Sequence, residues 1–118
     1  MQWRARTAAG AKWTQIFALT NADGSIIDLT GLAWEFVIRP SPTDVAATPL
    51  IKVTTTPGAQ GQIVVDLPTG TVTVTLNPAA TVLLGRGSRA HALWSNPGTS
   101  TATCWVEGSF DSALVAAA

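Results

Sequence analysis

Thr71-Val72-Thr73-Val74-Thr75-Leu76 sets threonine against Val, Val and Leu at every second position. A helix would scatter these apolar side chains around its axis, whereas a strand puts all three on one face. The stretch is therefore read as a half-buried strand, and its surroundings repeat the pattern. Residues 32–39 alternate Trp34, Phe36 and Ile38 with Ala33, Glu35, Val37 and Arg39. Pro40 and Pro42 stop that run, since neither donates to a β-ladder. Residues 13–19, 49–55 and 62–67 form further short runs, and residues 89–95 and 99–110 form the last two, joined at Asn96-Pro97-Gly98. Asp23-Gly24 and Asp28-Leu29-Thr30-Gly31 are read as reversals, because Asp and Gly favour turn geometry. In residues 77–84 the period breaks. Asn77 suits a helix cap and Pro78 a first helical position, so one short helical turn is expected near residues 78–84.

Seven or eight short strands, almost no helix and turns throughout predict an all-β protein. An antiparallel β-sandwich is the favoured architecture and a small closed barrel the second. The 118 residues, 47% of them hydrophobic, suffice for one domain with one core. The chain divides into a basic, extended arm at residues 1–12, a sandwich at 13–110 and a short apolar tail at 111–118. Only 12% of the residues are charged and the net charge is zero. Broad electrostatic capture of nucleic acid or of an anionic membrane is not expected. Residues 67–84 are uncharged, but Thr, Pro and Gly interrupt them, so they do not read as a membrane span. Residues 1–10 lack the apolar core of a signal peptide.

Catalytic groups are sparse. His91 is the single histidine, which leaves no multi-histidine metal site or Ser-His-Asp triad within one chain. It is read as a structural or surface residue. Asp23, Asp28, Asp44 and Asp66 fall at turns or strand ends, where carboxylates cap backbone amides. Cys104 is alone, so no intrachain disulfide forms, and it is read as a small buried hydrophobe. No enzyme activity and no cofactor are expected.

Binding residues are easier to nominate. Trp34 belongs to the core, Trp13 closes one end of the sandwich, and Trp94 and Trp105 form a cross-strand pair with Trp105 exposed on a Thr-rich face. Trp3 precedes every expected strand. With Arg4, Arg6 and Lys12 it makes an arm suited to a partner's groove, or else a solvated terminus. Leu114 and Val115 in the tail are further candidate contacts. Removal of residues 1–11 is expected to leave the fold intact. Sugar stacking on Trp94 or Trp105, as in a carbohydrate-binding module for host surface glycans, is the alternative use of exposed tryptophan.

The order of features also resembles a known group. Asp28-Leu29-Thr30-Gly31 is followed by the aromatic strand Trp34-Glu35-Phe36-Val37-Ile38-Arg39. The alternating residues 72–84, with Thr81, come next, and then residues 103–110 with Gly108. This series is similar to small virion proteins of tailed bacteriophages, of the kind found at the N-terminus of baseplate upper proteins. Where that group would carry Tyr-Asp-Leu this chain has His91-Ala92-Leu93, and it contains no tyrosine. The resemblance implies an immunoglobulin-like sandwich and a non-enzymatic structural role in the virion. The expected place is the tail tip or baseplate, with a head decoration or neck protein second. It also implies assembly in the bacterial cytoplasm, with other virion proteins and further copies of the chain as partners.

Overall fold

A computed structural model describes residues 2–41 and 48–114. Among them, eight strands form two sheets packed face to face, an all-β sandwich. The strands are β1 (Ala5–Ala8), β2 (Trp13–Ala18), β3 (Trp34–Arg39), β4 (Ile51–Thr54), β5 (Gly61–Asp66), β6 (Thr71–Leu76), β7 (Gly87–Ser95) and β8 (Thr103–Ala113). The larger sheet runs β1-β8-β7-β3-β4 and the smaller β2-β6-β5. A helical turn, α1 (Pro78–Thr81), continues into a 3-10 turn, Val82–Leu84.

The alternating runs fold as their periods require. On β6, Val72, Val74 and Leu76 are fully buried while the three threonines face outward. Trp34, Phe36 and Ile38 of β3 meet them from the other sheet, together with Leu93, Val106 and Phe110. Trp13 lies within this core rather than merely closing an end. It stacks on Phe36 at 5.8 Å and meets Phe110 edge-on at 5.0 Å between ring centroids. Offset and edge-to-face packings of this kind suit the ring quadrupoles.

The turns also follow their residues. Asp23 Oδ1 accepts from the Ser25 amide at 2.9 Å, and Asp28 Oδ1 accepts from the Thr30 amide at the same distance. Gly24 and Gly31 take the positive φ angles, +86° and +76°, that these reversals need. α1 begins at Pro78 as expected. Asn77, however, caps it only through its backbone carbonyl, and its side-chain amide donates to the Ala59 carbonyl instead.

Two expectations are corrected. The larger sheet is not wholly antiparallel, because β1 runs parallel to β8, with Ala5 opposite Phe110 and Ala8 opposite Ala113. The boundaries at residues 12 and 110 also move. Residues 5–8 are a sheet strand, and β8 continues through Ala113. The end of β8 is paired on both sides, with β7 as far as Ser112 and with the arm as far as Ala113.

Candidate binding surfaces

The arm is built into the domain. Trp3 packs edge-on against Phe17 at 5.3 Å and lies 6.1 Å from Trp13 between ring centroids. Its amide donates to the Glu107 carbonyl at 2.7 Å. Its carbonyl lies 2.7 Å from His91 Nε2, so that nitrogen carries the proton and donates. His91 is only 3% exposed, walled by Trp3, Phe36 and Phe110. Its Nδ1 has no hydrogen-bond partner. Burial pushes the imidazole below its ordinary value, outweighing the opposing effects of the Trp3 carbonyl and of Glu107. The ring is therefore held neutral.

Gly108 makes this approach possible. Its φ is +153°, and a Cβ there would run into the Trp3 carbonyl. Ala5, just beyond, is 1% exposed. Arg4 reaches Asp111, with 2.6 Å from Nε to Oδ2. The Ser88 hydroxyl first, then Arg4, hold the Asp111 carboxyl below the usual range.

Of the nominated contacts, Trp3 and Arg4 are thus engaged within the chain itself. Sequence reasoning placed Trp3 outside the core because no run of strand periodicity reaches it. Arg6 and Lys12 are exposed, as is Leu114 at the end of β8. Val115 lies outside the described residues.

Trp94 and Trp105 do not form a cross-strand pair. Trp94 sits opposite Cys104 and Leu93 opposite Val106, so Trp105 is the extra residue of a β-bulge. The bulge turns Trp105 inward beside Trp34, at 6.2 Å between centroids, and its Nε1 donates to Ser95 Oγ at 2.8 Å. It is half-buried rather than exposed. Cys104 is half-buried too, not fully buried, and burial followed by Glu107 pushes its thiol up, so it stays protonated.

Trp94 faces the other way, onto the outer side of the larger sheet. There it lines a groove of about 870 Å³ with Glu35, Ala92, Glu107 and the loop at Pro97. The outer side of the smaller sheet includes a depression of about 320 Å³ bordered by Gln62, Val64, Thr75 and Lys12. Register aligns Ile16, Thr73 and Val64 across the sheet, with Thr14, Thr75 and Gln62 on one side and Ala18, Thr71 and Asp66 on the other. Ile16 is 59% exposed and Val64 54%. Asp66 is the one charge among these nine positions.

No three of the described His, Cys, Asp and Glu residues cluster closely enough to hold a metal ion. Among the described residues, no helix is long and apolar enough to cross a membrane. A scan against protein-family models finds no match, and a search of curated proteins finds none either.

Proposed function

We propose that this chain is a non-enzymatic structural subunit of a tailed-phage particle, seated in the tail tip or baseplate and acting through protein-protein contacts. A head decoration or neck position is the second placement. The virion context is supported by the succession of the Asp28-Leu29-Thr30-Gly31 turn, the aromatic strand β3 and the Gly108-bearing strand β8. The manner of assembly is supported by one observation, the outer face of the smaller sheet. Ile16 and Val64 flank Thr73 on a surface that carries few charges, with both apolar side chains more than half exposed. Exposed aliphatic side chains on a sheet face of low charge suit an interface core. The face is also self-complementary, because a second copy turned through a two-fold axis meets Thr, Ile and Val with Thr, Val and Ile.

The arm has a different part in this reading. Trp3 is seated under Gly108 and on His91, so it stabilises the subunit and does not reach for a neighbour.

Sedimentation velocity at rising concentration tests the proposal. The wild-type chain is expected to associate, and the Ile16→Lys, Val64→Lys double variant to stay monomeric with an unchanged circular dichroism spectrum. Equal association of the two proteins, or a wild-type chain that remains monomeric throughout, would count against this face as the assembly surface.

A further inference from the structure

Beyond assembly, the groove on the opposite face has the makings of a ligand site. It follows from residue size along one strand. On the outer side, the central strand β7 presents Ala90, Ala92 and then Trp94. The two alanines make a low floor, while the neighbouring strands β3 and β8 carry larger residues on either bank. Register puts Glu35 beside Trp94, and Val37 and Glu107 on the two sides of Ala92. The result is a trough with an indole towards one end, where Pro97, Gly98 and Thr99 also line it.

The charges around it balance. Glu35 is held by Lys52 at 3.3 Å between Oε2 and Nζ, and Arg39 and Glu107 supply one charge of each sign. An anionic ligand would meet the two carboxylates, and a strongly cationic one would meet Arg39 and Lys52. A neutral ligand carrying many hydroxyls meets no such conflict. Its C–H faces suit the indole plane and the alanine floor, and its hydroxyls suit carboxylate acceptors on the banks. From the Trp94 row to the Ala90 row the trough runs about 13 Å, at roughly 3.3 Å per strand residue. That is the length of a short oligosaccharide, and the volume lies within the usual range for ligand sites.

We infer that the groove on the outer face of β3, β7 and β8 binds a neutral oligosaccharide, with Trp94 as its stacking platform and Glu35 and Glu107 as hydroxyl acceptors. Trp105, the other sugar candidate, is excluded from this role by its place beside Trp34. The inference does not depend on the assembly face, which lies on the other sheet.

The test uses the full chain on an array of immobilised neutral oligosaccharides and their acidic counterparts, followed by tryptophan fluorescence titration of any sugar that binds. The expected result is saturable binding of at least one neutral oligosaccharide. Affinity should fall at least tenfold in Trp94→Ala, be largely restored in Trp94→Phe, and fall several-fold in Glu107→Gln. Circular dichroism checks that each variant is folded. Absence of binding to every neutral sugar, binding of acidic sugars alone, or binding unaffected by Trp94→Ala would overturn the inference.

Discussion

His91 carries more structure than a lone histidine in a strand suggests. It donates to the Trp3 carbonyl from within an aromatic cage, and its second nitrogen has no partner. Its folded-state pKa lies below the ordinary 6.5. As pH falls below about 6.5, the unfolded chain takes up a proton that the folded chain resists, so stability is lost down to the folded-state value and levels off beneath it. Asp23, Asp28 and Asp111 are also lowered, from 3.8, so the stability they contribute is lost only in more acid solution. Thermal melts are therefore expected to show falling stability from neutral pH to about pH 5 in the wild type. In His91→Phe that slope should vanish. This variant should also be less stable at neutral pH by about 1 kcal/mol, because the partly buried Trp3 carbonyl loses its donor. An identical slope in both proteins would mean that another group titrates. The sequence showed that His91 lies in a strand, but not that it faces inward. The flanking alanines carry no polarity signal, and the carbonyl it serves is 88 residues away.

At the scale of elements, the parts that differ from expectation are those whose cause lies far along the chain. The β6 strand and the Trp34–Phe36–Ile38 face of β3 were legible because a period of two and its own burial agree residue by residue. The β1 strand, Ala-Arg-Thr-Ala, has no such period, and its partner β8 begins almost a hundred residues later. The bulge at Trp105 was hidden for another reason. Residues 102–106 alternate cleanly, but one inserted residue reverses which face each side chain takes.

Seating the arm reverses the expectation for its removal. Deletion of residues 1–11 strips β1 from β8 and uncovers Phe17, Trp13 and His91. It is expected to destabilise the domain by about 3 kcal/mol, the scale of losing a large aromatic from a core. Gly108→Ala should act in the same direction, by about 1–3 kcal/mol, because its methyl group displaces the Trp3 backbone. Amide exchange should show lost protection at residues 3–8 in this variant while β6 stays protected. Unchanged protection of the arm would show that Trp3 is not held through Gly108.

For the whole molecule, the sandwich separates two surfaces of different character. The smaller sheet offers a threonine-rich face with two exposed aliphatic side chains and one charge, whereas the larger offers a grooved one with balanced charges. Exposure on the smaller sheet could be anticipated from Ile16 and Val64 alternating with inward residues. Their alignment across Thr73 could not, because it depends on the register of three strands. Assembly through that face is the central claim, and cross-linking at its centre tests it most directly. In a Cys104→Ala background, Thr73→Cys should give a covalent dimer with a short bismaleimide, and Ser100→Cys, outside that face, should not. Failure of the Thr73→Cys protein to cross-link, or equal cross-linking at both positions, would contradict the account.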